Sequence, residues 1–206
     1  NKVSFFHGRG SFAKATEGGY EVAVAGAAAE TVVAKHVIVA TGSKARQLSG
    51  IEVDNKSICD NVGALSFDAV PKRVGVIGAG VIGLEPGSVW KRLGAEVTIL
   101  EALPDFRAAA DADIAKVAAR EFKKQGLDIR LGARCTGARI EGDEVHLDVD
   151  AGKGAQTLVF DKLLVAVGRR AASAGCLAED SGVRTDERGR YVVDAHNRTD
   201  ADGVWA

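Results

Sequence analysis

The sequence predicts an α/β fold: a parallel sheet wound with helices, joined to an antiparallel β-meander. Three observations carry this. Between residues 73 and 131, short apolar runs of strand type alternate with two helical stretches. Between 135 and 160, short alternating segments are separated by Gly142 and by DAGKG, the pattern of a meander. The first helical stretch opens on three glycines, Gly78, Gly80 and Gly83, spaced G-x-G-x-x-G.

In chain order, GYEVAVAG (19–26) alternates like a strand. ETVVAKHVIVATGS (30–43) is rich in β-branched residues and ends in a turn, Thr41-Gly42-Ser43. DAVPKR (68–73) reads as a linker punctuated by Pro71. RVGVIGAG (73–80) reads as a short buried strand, and 81–93 as a helix closed by Gly94. EVTILE (96–101) is the next strand. DADIAKVAAREFKKQG (111–126) starts on an Asp cap and ends on Gly126, with Ile114, Val117, Ala118 and Phe122 on one apolar face. LDIRL (127–131) completes β-α-β-α-β, which requires right-handed crossovers between parallel strands. DKLLVAVG (161–168) is a further apolar strand. The tail, 169–206, is expected to hold a short helix near 174–181 and a strand near RYVVD.

A chain of 206 residues can bury a sizeable core in one large or two modest domains. Hydrophobic residues make up 46% and charged residues 27%, with a net charge of −1, so nothing in the charge balance calls for nucleic acid or an anionic membrane. Lys123-Lys124 and Arg169-Arg170 read as solvated faces. No apolar run approaches the roughly 20 residues of a membrane helix. The opening NKVSFFHGRG lacks the basic-then-apolar pattern of a secretory signal. The chain contains no Met and both ends are abrupt, so a piece of a longer protein is expected. The cysteines (Cys59, Cys135, Cys176) and histidines (His7, His36, His146, His196) are scattered without metal-ligand spacing. Isolated cysteines suggest a reducing compartment, and a cytoplasmic location is expected.

The glycine fingerprint follows a strand and opens a helix. Gly78 would allow the tight turn, Gly80 would let the backbone approach a pyrophosphate, and Gly83 would let the helix pack closely on the strand. The phosphates would face the amides at the helix N-terminus. Glu101 ends the next strand, 18 residues after Gly83. A carboxylate there accepts hydrogen bonds from ribose hydroxyls and repels a 2′-phosphate, and no Arg stands immediately beside it, which favours NAD(H) over NADP(H). This is a Rossmann-like reading. The same residues also fit a tight β-α turn that binds nothing, with Glu101 capping a strand end. Pro86 is the sixth residue of the helix if Val81 is the first. It would leave the Ile82 carbonyl without its N–H and crowd it. A kink, a local adjustment of the first turns and an altered residue all remain open there.

FFHGRGSF (5–12), HVIVATGS (36–43), GVIGAGVIGLE (75–85), GAEVTILEALPDF (94–106) and LLVAVGRR (163–170) together resemble the two-dinucleotide-binding flavoprotein disulfide reductases. Among these they are most similar to the dihydrolipoamide dehydrogenases of the 2-oxo acid dehydrogenase complexes, over essentially the whole chain. The resemblance implies a partial FAD-binding domain at 1–70, an NAD-binding domain at 71–168, and a return segment to the FAD-binding domain at 169–206. It implies that Gly78, Ala79, Gly80, Val81, Ile82, Gly83, Leu84 and Glu85, with Glu101, bind NAD. Gly168 would lie against the nicotinamide half, and Cys135 would flank the adenosine as a small apolar wall. Gly10 and Thr41, Gly42 and Ser43 match FAD contacts. Glu85 matches a carboxylate near the flavin–nicotinamide junction.

The activity implied is oxidation of dihydrolipoamide by NAD⁺ through FAD and a redox disulfide. The implied partners are a lipoyl-bearing protein and a second copy in a homodimer. The departures are as specific as the matches. The family's first flavin G-x-G-x-x-G, its C-x-x-x-x-C pair, the Lys that pairs with the carboxylate matched by Glu85, and its His–Glu acid–base pair are absent from the sequence. RRAASAGCL replaces a Pro-containing turn. No catalytic residue is assigned, and the chain alone is not expected to turn over. A sibling reductase, such as an NADH oxidase or mercuric reductase, and a non-catalytic NAD-binding module are the alternatives.

Overall fold

A computed structural model describes residues 2–106, 110–152, 154–178 and 181–206. The chain divides into two compact units. One comprises residues 1–44 and 169–206, and the other Ala45–Gly168. Residues 45–70 therefore cluster with the glycine-fingerprint region.

In the first unit, β1 (Arg9–Thr16), β2 (Gly19–Ala25) and β3 (Glu30–Ala34) form an antiparallel sheet in that order. Strand β1 was not expected, because its sequence RGSFAKAT carries little hydrophobic alternation. It is held by pairing to β2 from Arg9↔Ala25 to Thr16↔Gly19. Beyond these lie β4 (Val37–Ile38) and β5 (Ser43–Ala45).

In the second unit, β6 (Ile58–Cys59) leads into a one-turn helix, α1 (Asn61–Ala64). Then come β7 (Arg73–Ile77), α2 (Val81–Arg92), β8 (Glu96–Glu101), α3 (Ala112–Lys124) and β9 (Asp128–Leu131). The expected β-α-β-α-β run is present. The strand expected to reach residue 80 ends at Ile77, where Gly78 turns the chain at φ +105°. The meander follows as β10 (Arg134–Glu141), β11 (Glu144–Asp150) and β12 (Ala155–Phe160), antiparallel in that order. Strand β13 (Lys162–Val165) then inserts beside β7. The parallel sheet has the order β6-β13-β7-β8-β9.

This sheet is covered on both faces, and side-chain alternation shows how. Val74, Val76, Val97, Ile99 and Leu164 share a cluster with Leu84 and Trp90 of α2. Ile77, Leu100, Leu163 and Val165 face the opposite way, onto Val145, Leu147 and Val149 of β11. Those three alternate along β11, so the meander lays one apolar face on the sheet and shows its polar face outward. Helix α2 comes close to the sheet because two of its four buried residues are glycines, Gly83 and Gly87. A Cβ on Gly87 would already touch Ile99, Leu127 and Val97 at 3.3–3.5 Å.

At the base of the sheet, Arg73 of β7 ties β11 to the link between β12 and β13. Its backbone N–H and guanidinium donate to Asp161 at 2.6–3.2 Å, and Nη2 also donates to Glu144 at 2.6 Å. Burial acts to raise the Asp161 pKa, but the hydrogen bonds from Arg73 outweigh it and hold the carboxyl below its ordinary value.

The face expected on α3 is corrected. Ile114 is 65% and Val117 49% exposed, and no α3 residue is fully buried. The half-buried side is shifted round to Ala115, Ala118, Ala119 and Phe122. Phe122 meets Phe106 at 6.4 Å between ring centres. Ala115 and Ala119 border a cavity with Phe106, Phe122 packs against the core cluster beneath, and Ile114 and Val117 face solvent.

The chain returns to the first unit through β14 (Arg169–Ala171), which pairs with β5, and ends with β15 (Val204–Trp205), parallel to β4. Among the described residues, neither element expected in this tail forms. Residues 174–176 make a turn, and Glu179 and Asp180 of the expected helix lie outside the described residues. The expected strand at RYVVD is reduced to one bridge, Thr185↔Tyr191. Asp186 and Asp194 explain this, since their carboxylates bind nearby backbone N–H groups and favour turns over ladders.

Candidate dinucleotide site

The second unit contains a cavity of about 1010 Å³ at the carboxyl ends of β7, β8 and β13. In an open α/β sheet this is where ligands bind. Glu101, Cys135 and Gly168 line it together with Gly78, Gly80, Val81 and Ile82. Residues separated by up to 90 positions, Gly78 and Gly168, thus line one cavity.

Each fingerprint glycine has its own physical reason. Gly78 has φ +105°, and a Cβ on it would sit 2.5 Å from the Ala166 carbonyl oxygen. A Cβ on Gly83 would sit 2.0 Å from the Gly78 carbonyl oxygen, so the helix could not start where it does. Gly80 differs from both. Its backbone is extended (φ −77°, ψ −179°), a conformation any residue adopts, and no atom lies within 4 Å of its would-be Cβ. Nothing inside the protein requires glycine there. The open space lies on the cavity, where a ligand could approach the backbone.

The helix start has the matching polarity. Asp60 and Asp111 cap α1 and α3 with side-chain hydrogen bonds. Helix α2 begins on Gly80 with no side-chain cap and no acidic residue in its first turn. Its first N–H groups and the positive end of its dipole are left for an anion at the cavity. The residues present therefore fit a dinucleotide: an uncapped helix, a bare Gly80, a carboxylate at the next strand end and apolar walls.

Ala79 is 2% exposed and contributes through its backbone. Its N–H donates to Glu101 Oε2 at 2.9 Å, and the Leu103 N–H donates to Oε1 at 2.9 Å. Cys135 forms part of the wall. Burial pushes its thiol up to about 11, so it is protonated near neutral pH and no nucleophile. Gly168 turns at φ +108°, and its carbonyl accepts the Arg46 N–H at 3.0 Å.

Other expected site residues lie elsewhere. Gly83 and Leu84 are buried on the sheet side of α2. Glu85 is exposed and lines a second cavity of about 610 Å³ with Phe67, Val70, Pro86, Val89 and Trp90. Glu85 lies one turn further along the same helix face as Val81 and Ile82, and Ile82 lines both cavities. Pro86 does not interrupt α2, which runs unbroken from Val81 to Arg92. Sequence reasoning missed Arg134, a second charged residue on the first cavity. Its only signal was its place beside Cys135.

In the first unit, Gly10 and Thr41 line a cavity of about 280 Å³ with Arg9, Lys44 and Arg170. Thr41 Oγ1 lies 3.1 Å from the Tyr191 hydroxyl. The Gly42 carbonyl accepts the Ala172 N–H at 3.0 Å, and Ser43 Oγ accepts from Arg169 Nε at 2.7 Å. This space falls below the usual 300–1,000 Å³ of a small-molecule site. It does not fit a whole flavin, and no step is routed through one.

The sequence pattern of the pyridine nucleotide-disulphide oxidoreductases matches residues 1–206. The chain is 49% identical to dihydrolipoyl dehydrogenase of Cupriavidus necator, over all of this chain and 43% of that protein. It is 39% identical to the mitochondrial dihydrolipoyl dehydrogenase of Schizosaccharomyces pombe, over 97% of this chain and 39% of that one. Among solved structures, the Cu(II) complex of the HOCl-induced flavoprotein disulfide reductase RclA of Escherichia coli superposes with a TM-score of 0.85 at 29% identity, covering 97% of this chain and 44% of its own. LpdA from Mycobacterium tuberculosis does so with a TM-score of 0.85 at 26% identity, with the same coverage. The chain thus spans about two fifths of the length of these relatives. With a match along its whole length, over an uncapped glycine turn, a strand-end carboxylate and a parallel sheet, this chain belongs to the pyridine nucleotide-disulphide oxidoreductase family.

Proposed function

We propose that this chain is the NAD(H)-binding part of a FAD-dependent dihydrolipoyl dehydrogenase. The observation that carries the reading is Gly80: a glycine with no steric or conformational reason inside the protein, facing a cavity at an uncapped helix start. In this reading the first turn of α2 binds the pyrophosphate, and the Glu101 carboxylate accepts from ribose hydroxyls while it holds the turn. Cys135 and Gly168 form the walls toward the two ends of the dinucleotide. The bound nicotinamide would supply hydride acceptance. The redox disulfide, its acid–base pair and most of the flavin site belong to the rest of a longer protein. Its substrate would be a lipoyl-bearing protein, its assembly a homodimer and its location the cytoplasm. The relatives' name, dihydrolipoyl dehydrogenase, supports the substrate, and the three free cysteines support a reducing compartment. No helix among the described residues is long and apolar enough to cross a membrane.

The test uses the full-length protein and its Gly80→Ala variant. Gly80→Ala should weaken NAD⁺ binding by about tenfold or more, since an added methyl group blocks the backbone approach. Its stability should change by only about 0.5 kcal/mol, as for a substitution touching nothing. Unchanged NAD⁺ affinity would remove the observation on which the reading stands. NADH formation from dihydrolipoamide by the full-length protein tests the substrate.

A further inference from the structure

Two charged side chains line the dinucleotide cavity among the described residues, Glu101 and Arg134. They are neighbours through the backbone. The Ala133 N–H donates to the Glu101 carbonyl at 2.8 Å, and the Gly132 N–H to the Leu103 carbonyl at 3.0 Å. The segment carrying Arg134 therefore runs beside the end of β8. Yet the two do not neutralise each other. Both Glu101 carboxylate oxygens are occupied by backbone N–H groups, on Ala79 and Leu103. No carboxylate among the described residues lies within ion-pair distance of the Arg134 guanidinium.

A carboxylate at this strand end excludes a 2′-phosphate, and an arginine near it accommodates one. This cavity holds both at once. We infer that Arg134 is a second determinant of nucleotide choice: a ready cation for the 2′-phosphate of NADP(H), kept silent by the single carboxylate of Glu101. This rests on the dinucleotide reading above. The site would then be one substitution from reversed selectivity, since the arginine needs no engineering. Its guanidinium can bind a phosphate through two parallel N–H···O bonds.

The experiment measures equilibrium binding of NAD⁺ and of NADP⁺ to the full-length protein. Glu101→Gln keeps a side-chain oxygen to accept one N–H and removes the charge. It should tighten NADP⁺ at least about tenfold, with a gain that shrinks as salt rises. Glu101→Ser, a smaller neutral replacement, should show the same reversal if the Gln variant proves unstable. Adding Arg134→Ala to either should abolish the NADP⁺ gain, and Arg134→Lys should retain part of it. A merely structural arginine would weaken both nucleotides together, leaving their ratio unmoved. The inference fails if the wild type binds NAD⁺ but neither neutral variant gains NADP⁺, or if the gain survives Arg134→Ala. If the wild type binds no NAD⁺, the dinucleotide reading falls and takes this inference with it.

Discussion

The Ala79 N–H donates to the Glu101 carboxylate at 2.9 Å, across 22 residues of sequence. With the second bond from Leu103, it makes Glu101 a clasp between the glycine turn and the loop after β8. The residue that would read the ribose thus also shapes the turn that would hold the phosphates. Glu101→Ala should cost about 1–2 kcal/mol of stability, because two backbone donors lose a charged acceptor. Urea unfolding of the full-length protein measures it, and a variant as stable as the wild type would show the clasp to be idle.

Gly83→Ala should behave opposite to Gly80→Ala. Its methyl carbon would lie 2.0 Å from the Gly78 carbonyl oxygen, and the start of α2 must move. A loss of about 2–3 kcal/mol is expected, at the upper end of overpacking. Thermal unfolding of the two variants side by side separates the packing glycine from the ligand-facing one.

Pro86 gives no N–H to the Ile82 carbonyl, although α2 continues through it. Pro86→Leu should raise the melting temperature, recovering much of the roughly 3 kcal/mol that an interior proline costs a helix. Because the carbonyl left without a donor belongs to Ile82, which lines the first cavity, NAD⁺ binding should tighten as well. Calorimetry checks both, and a lower melting temperature would show the proline fitted to its place.

Asp161 is held below its ordinary pKa of 3.8 by Arg73, against the effect of burial. A carboxyl depressed in the folded state releases its proton more readily than in the unfolded chain. Its stabilisation is therefore complete above the unfolded value near 4 and is lost as pH falls through the lower folded value. Both partners are about a third exposed, so the pair is worth about 1 kcal/mol after solvent screening. Arg73→Ala should flatten stability against pH between 5 and 2. An unaltered profile would assign the acid sensitivity to other carboxyls.

Burial pushes the thiols of Cys59 and Cys135 up to about 11. Both should react slowly with iodoacetamide at pH 8, and faster toward pH 11, as thiolate forms. Peptide mapping by mass spectrometry resolves them. Cys135, on the cavity wall, should be further protected by NAD⁺, whereas Cys59, 0% exposed in the sheet, should not.

Much of the second unit was legible in the residues. Strand and helix periods, the Asp111 cap and the glycine spacing are local properties, and EVTILE is a strand exactly over its six residues. Less was legible where pairing replaces pattern. Strand β6 is two residues long and exists because Leu163 and Leu164 pair with Ile58 and Cys59. The face of α3 was misjudged because hydrophobicity alone cannot say that the half-buried side would be Ala115, Ala118, Ala119 and Phe122 rather than Ile114 and Val117.

The sequence by itself determined the α/β wind, the meander and the identity of the turn at Gly78–Gly83, since these depend on backbone sterics and short-range periodicity. Only the tertiary structure decided which residues share the cavity. It brought Cys135, Gly168 and Arg134 to the cavity that Glu101 lines and placed Glu85 on a second one. Those outcomes depend on strand order and on position along the helix, where one turn, about 5.4 Å, carries the same face from the first cavity to the second.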